Sequence, residues 1–194
     1  MTSLIGDKMR MVILDGKRLG IVMIISGLMC ILFGFGMTFG DNIRATAFIE
    51  SNMGTLKQYY IDKYNINYKL PLSWKTNLNE NLKGIVIYEN DFESEDSSIK
   101  GFIQLLNCND LNEGIDKSII FSPVGNYKIT KIIVNNMDGY EVNYILKKDG
   151  VSFNCIEYFI KDKEKVLRFS FYITNNNNEN MYNILNAIVN TASS

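Results

Sequence analysis

Leu19 to Phe39 reads LGIVMIISGLMCILFGFGMTF and holds no charged residue. No other stretch restricts the fold as strongly. At ~1.5 Å of rise per residue, about 20 helical residues reach ~30 Å, the thickness of a bilayer's hydrocarbon core. The run therefore predicts one transmembrane helix over 19–40. A secretory signal carries an apolar core of roughly 7–15 residues, so this one is too long. Ala45-Thr46-Ala47 has the small-residue pattern of a cleavage site, but the length argues for an uncleaved anchor. Cys30 lies in the middle of the run, away from where a lipid-bearing cysteine would sit.

Charge gives the orientation. Lys8, Arg10, Lys17 and Arg18 precede the span, against Asp7 and Asp15. Basic residues favour the cytoplasmic side, so 1–18 is expected inside as a short tail and the remainder outside. The chain has 20 Lys+Arg and 21 Asp+Glu. Taking the tail's charges away leaves a mildly acidic remainder, the opposite of a nucleic-acid footprint. Lipid and another membrane or envelope protein are the expected partners. Abundant Asn, Ile and Lys is a compositional bias of AT-rich bacterial genomes, here read as Gram-positive.

The span also offers a contact face. Gly20, Gly27 and Gly34 recur every seven residues, with Ser26 and Cys30 near that face, and Gly36 and Gly40 form a GxxxG at the outer end. Small residues let helices approach closely in lipid, where packing drives association. The plain alternative is that glycine is common in membrane helices.

Residues 41–63 have helical spacing at Phe48, Leu56 and Tyr60, predicting a helical stalk or linker that Gly54 weakens. From 64 to 194 the pattern is that of one domain. Tyr64, Ile66, Tyr68 and Leu70 alternate as in a strand, and Pro71, which cannot donate to a ladder, ends it. Gly84–Tyr88 and Lys100–Asn107 are further strands, flanking 89–98, which is expected as an acidic polar loop. Asp110 with Glu113 makes a capping-box-like start for a short helix carrying Leu111, Ile115 and Ile119 on one face. Four β-prone runs follow: Lys128–Val134, Tyr140–Leu146, Val151–Ile160 and Val166–Ile173. Asp138-Gly139, Asp149-Gly150 and 161–165 are expected as the turns between them, giving an antiparallel meander. Met181, Ile184, Leu185, Ile188 and Val189 form one stripe of a closing helix, with Asn176 and Glu179 at its start. The fold class is α+β, an antiparallel sheet covered by helices and preceded by the membrane span.

These elements resemble a known family. The strand running into Leu70-Pro71-Leu72-Ser73-Trp74 is similar to the opening of PsbP-like domains. Gly139-Tyr140-Glu141-Val142, Glu157-Tyr158-Phe159, Arg168-Phe169-Ser170-Phe171 and the final amphipathic helix extend the similarity over Tyr64 to Ser194. The chain most resembles PsbP-related, membrane-anchored proteins of clostridia and their relatives. The resemblance implies a sheet between helices and a non-catalytic accessory, binding or assembly role, with sporulation as one setting. Photosynthetic members support a metal cluster, but no ligand position matches this chain.

Chemistry is bounded by the absence of histidine. Ser-His-Asp and Cys-His nucleophilic sites and His-containing zinc sites are excluded. A Ser-Lys dyad or paired carboxylates would remain, but no motif spacing marks either. No catalytic residue, cofactor or metal ligand is assigned. Asp91, Glu93, Glu95 and Asp96 are oxygen donors, yet Asp96 and Phe102 stand where an EF-hand needs Gly and Glu. Cys108 and Cys155 read as buried thiols, although an outside location permits a disulfide. Trp74 is expected in the core, as are most strand aromatics. The expected function is a single-pass, extracytoplasmic binding or assembly-accessory protein. The alternatives are an envelope hydrolase or ligand-modifying enzyme, and a structural subunit acting through its helix.

Overall fold

The computed structural model describes residues 20, 23–30, 47, 50–51, 54–80, 82–119, 127–174 and 179–193. The chain divides into two units, Met1–Gly40 and Asp41–Ser194. In the first, Gly20 and 23–30 are helical and exposed. Among the described residues no helix is long and apolar enough to cross a membrane, and most of the span expected over 19–40 lies outside them.

The second unit holds, among its described residues, the elements β1 (Leu56–Ile61), a 3-10 turn (Asp62–Tyr64), β2 (Ile66–Pro71), β3 (Lys75–Glu80), β4 (Val86–Glu93), β5 (Ile99–Leu106), α1 (Leu111–Ile119), β6 (Tyr127–Val134), β7 (Met137–Lys148), β8 (Val151–Asp162), β9 (Lys165–Ile173) and α2 (Glu179–Val189). Strands β3 to β9 form one antiparallel sheet in the order β3-β4-β5-β9-β8-β7-β6. The four-strand meander β6 to β9 is as expected. Strands β1 and β2 form a separate hairpin.

That hairpin corrects the stalk. Helical spacing over 41–60 predicts a helix, and Ala47, Glu50 and Ser51 are helical. Gly54 then takes φ +78, a conformation costly for residues with a Cβ, and Leu56–Ile61 becomes a strand paired with β2. The strand turns a different set inward: Ile61 is buried and Tyr59 stacks on Tyr68 at 5.3 Å, while Tyr60, which suggested a helix face, is exposed.

Both faces of the large sheet are covered. On one face α2 and the β1–β2 hairpin pack against Leu167, Phe169, Phe171 and Ile173 of β9. Leu185, Ile188 and Val189 are the buried stripe of α2, with Met181 and Ile184 at its margin. Trp74 is buried and stacks on Phe92 at 5.2 Å. On the other face α1 lays Ile115 over Leu106, Val142, Tyr144, Cys155 and Val166. Asp110 Oδ1 caps α1, accepting from the Asn112 N–H at 2.7 Å and the Glu113 N–H at 3.2 Å. The Glu113 carboxylate bonds Lys117 instead of closing a capping box. The start of α2 at Asn176 lies outside the described residues.

Two turns fall where expected and one is displaced: Lys163 (φ 52) and Glu164 link β8 to β9 within 161–165. Asp149 (φ 51) and Gly150 (φ 76) link β7 to β8 in the positive-φ pair of a type I′ hairpin. Between β6 and β7 the turn falls on Asn135 (φ 47) and Asn136 (φ 66), not on Asp138-Gly139. Asparagine tolerates the left-handed region, so Asn-Asn serves as well. Gly139 lies inside β7 because a Cβ there would meet the Phe159 carbonyl oxygen at 2.7 Å.

Candidate functional site

A trough of about 880 Å³ opens at the β6–β8 end of the sheet. Register places Lys128, Asn143, Ile145, Lys147, Asn154 and Ile156 on one face there: Lys128 pairs with Asn143, Asn143 with Ile156, and Ile145 with Asn154. Strand alternation puts these side chains together and turns Tyr144 and Cys155 to the opposite face. Lys147 stands four residues from Asn143 on β7, so the two lysines lie ~14 Å apart along the strands at ~3.4 Å per residue. Lys128, Ile145 and Lys147 are exposed, while both asparagines and Ile156 are half-buried. Among the described residues the lining contains lysines, amides, tyrosines and apolar side chains and no carboxylate.

The strongest polar cluster lies on the α1 face and is closed. Arg168 on β9 donates Nε–H to Glu157 Oε2 at 2.9 Å and Nη2–H to Glu157 Oε1 at 2.8 Å. The Tyr144 hydroxyl donates to Glu157 Oε1 at 2.7 Å and Ser170 Oγ at 3.2 Å. Four donors thus occupy the carboxylate. Arg168 Nη1 donates to Gln104 Oε1 at 3.1 Å, and the Gln104 amide donates in turn to Glu89. The Phe102 and Phe159 rings stand 4.8 Å and 5.4 Å from the guanidinium carbon. A smaller cleft of about 310 Å³ reaches Arg168 and Lys117, but each cation already faces a carboxylate.

Buried nucleophiles are held in their neutral forms. Burial pushes the Cys155 thiol up to about 12, and the Cys108 thiol up as well. Burial, then the charge of Glu157, raises the Tyr144 phenol. A thiol this far above neutral pH carries almost no thiolate and attacks poorly. Cys108 and Cys155 are unpaired thiols, so the disulfide alternative is set aside.

The residues singled out from the sequence distribute as follows. Gly20 and Gly27 are helical, and a Cβ at either would meet nothing within 4 Å. Cys30 is exposed. Gly34, Gly36 and Gly40 lie outside the described residues. The acidic stretch is partly strand: Asp91 and Glu93 belong to β4, and Glu93 pairs with Lys100 at 3.1 Å. Asp96 Oδ1 accepts from Ser94 Oγ (2.8 Å), Ser98 Oγ (2.8 Å) and the Ser98 N–H (3.1 Å), which pulls its carboxyl below the ordinary range. No group of three or more metal-ligating side chains occurs among the described residues.

Sequence reasoning missed the trough, since lysine and asparagine on strands read as ordinary solvated positions. Glu157 and Arg168 did leave a signal. A charged residue inside a run buried on both faces must find a partner.

No protein-family model and no curated protein matches this chain. Solved structures do. The solution structure of cyanobacterial PsbP (CyanoP) from Synechocystis superimposes with a TM-score of 0.52 at 10% identity, over 72% of this chain and 92% of that one. The fold is PsbP-like. A Bacteroides thetaiotaomicron protein matches with the same TM-score, 0.52, at 10% identity over 71% of this chain. This chain spans about half of it, 48%. At such identities the likeness concerns the fold alone.

Proposed function

We propose that this chain is a single-pass membrane protein carrying a PsbP-like domain outside the cytoplasm, which acts without catalysis as a binding or assembly-accessory module. The observation that carries the reading is a separation within the domain. The buried Glu157–Arg168 pair is closed by Tyr144 and Ser170, while the accessible concavity is lined, among the described residues, by lysines, amides, tyrosines and apolar side chains without a carboxylate. An open trough of that makeup suits recognition, and no nucleophile–base pair meets in it. Support for the anchor comes from the uncharged run of 21 residues and the basic tail before it. Tethering confines the domain to the membrane and raises its effective concentration near partners there. The setting is the envelope, including the space around a developing spore.

Protease added to intact protoplasts should digest 64–194 and spare the tail, and alkaline carbonate should leave the chain in the membrane fraction. A domain left untouched, or a chain stripped into the supernatant, overturns the reading. Crosslinking in native membranes then identifies the partner. Gly27→Leu with Gly34→Leu tests whether the span also contacts another helix: self-association should fall, and unchanged association removes that face.

A further inference from the structure

The open edge of the large sheet carries a mixture that a water-facing edge does not need. Strand β6 is the terminal strand, beyond β7. It exposes Tyr127, Ile129 and Ile133, the last at 70%. The adjoining β7–β8 hairpin exposes Ile145 at 61% and Val151. Native edges are usually blunted by burying or charging such side chains. Here the charges present are all of one sign apart from Asp138 and Asp149.

Lys128 and Lys131 lie on β6, and Lys147 and Lys148 close β7. Lys131 faces Asp138 at 3.7 Å. Lys128, Lys147 and Lys148 have no carboxylate within ion-pair distance among the described residues. This basic edge sits on a domain that is mildly acidic as a whole. Isoleucine and tyrosine interleaved with lysine is the composition of a surface that settles into a headgroup layer. The apolar tips enter, the tyrosine ring sits at the interface, and lysine stems lie along it with their ammonium groups on lipid phosphates.

We infer that the β6 edge and the β7–β8 hairpin dock edge-on against an anionic lipid bilayer, with Lys128, Ile145 and Lys147 reaching it from one face of the sheet and Tyr127, Ile129 and Lys148 from the other. The occupant follows from charge. A second copy would bring the same lysines against one another, whereas anionic lipid complements them. The inference rests on the anchored reading, which places the domain beside a membrane, and it adds an orientation to that reading. The trough between Lys128 and Lys147 becomes the seat of a headgroup.

The test uses the full chain in nanodiscs, one copy per disc, made of phosphatidylcholine alone or mixed with phosphatidylglycerol. Amide exchange over 127–134 and 145–152 should be slower in the anionic discs, and unchanged in β9. High salt should abolish the difference, since exposed charges are screened. Each lysine neutralised in K128Q, K147Q and K148Q should weaken the contact by about fivefold. Equal exchange in both lipids overturns the inference. So does protection that appears only with two chains per disc and ignores lipid charge, which would assign the edge to a second copy. A chain that does not enter discs removes the anchored reading instead. Flotation of that chain with anionic but not neutral vesicles would then keep the edge, and no flotation would end it.

Discussion

Arg168 meets Glu157 edge to edge, Nε to Oε2 at 2.9 Å and Nη2 to Oε1 at 2.8 Å, with both residues buried in the sheet. They lie on neighbouring strands, where Glu157 pairs with Ser170 and Phe159 with Arg168. The bidentate geometry satisfies two charges that a sheet covered on both faces would otherwise exclude. Removing one partner leaves the other buried and uncompensated. Arg168→Met should cost about 3–5 kcal/mol in urea unfolding. Adding Glu157→Leu to it should recover much of the loss, because the pair offsets mainly its own desolvation. A single substitution costing under about 1 kcal/mol would place the pair among weak surface bridges.

Alkaline lability follows from the buried acids. Burial raises Tyr88 to about 12 and Cys155 to about 12 from ordinary values of 10.0 and 9.0. Tyr68, Tyr144 and Tyr158 are raised too, burial first in each. Above the unfolded value the unfolded chain has lost its proton while the folded chain keeps it. Stability is therefore complete below pH ~9 and declines from there toward pH ~12, by ~1.4 kcal/mol per pH unit for each group in its window. Circular dichroism against pH should show cooperative loss of the sheet in that range. A sheet unchanged at pH 12 contradicts the burial of these groups. On the anchored reading proposed above, carbonate-washed membranes should retain a chain whose domain has unfolded.

The meander was legible because its strands obey two-residue alternation and one Asp-Gly turn marks a hairpin. The closing helix was legible from a stripe at helical spacing. Leu56–Ile61 was misread because Leu56 and Tyr60 stand four apart, which fits a helix face, and its pairing with β2 is invisible along the chain. Asp138-Gly139 misled because glycine has two uses in a sheet, and local sequence does not separate the turn from the close approach. The trough was illegible for a further reason. Lys128, Asn143 and Asn154 become neighbours only through the registers of three strands.

Gly101 shows the same close approach at its extreme. It lies on β5 opposite Phe171 of β9, and a Cβ there would meet the Ser170 carbonyl oxygen at 1.9 Å and Phe92 Cζ at 2.8 Å. The first obstacle is backbone in the middle of the sheet, so no side-chain rotation relieves it. Gly101→Ala should destabilise by about 2 kcal/mol or more and broaden the resonances of β5 and β9. A midpoint of denaturation equal to wild type would show that the two strands separate without cost.

Asn135 joins the β6–β7 turn to the end of the chain. Its Nδ2 donates to the Asn190 carbonyl at 2.9 Å and to the Ala192 carbonyl at 2.8 Å, while its own φ of 47 is in the left-handed region. The same tail is held from the other side, where Asn67 and Ser193 exchange backbone hydrogen bonds at 2.9 Å and 3.0 Å. Asn135→Ala removes both side-chain bonds and puts a poorer residue at positive φ, a combined cost of about 2–3 kcal/mol. Asn135→Gly keeps the conformational tolerance and loses only the bonds, so it should cost about 1–2 kcal/mol. Amide exchange of Ser193 separates the contributions. Both variants should speed it, since both free the tail, while only the alanine variant should also loosen Val134 and Met137 beside the turn. Equal exchange of Ser193 in wild type and both variants would show that β2 alone fixes the tail.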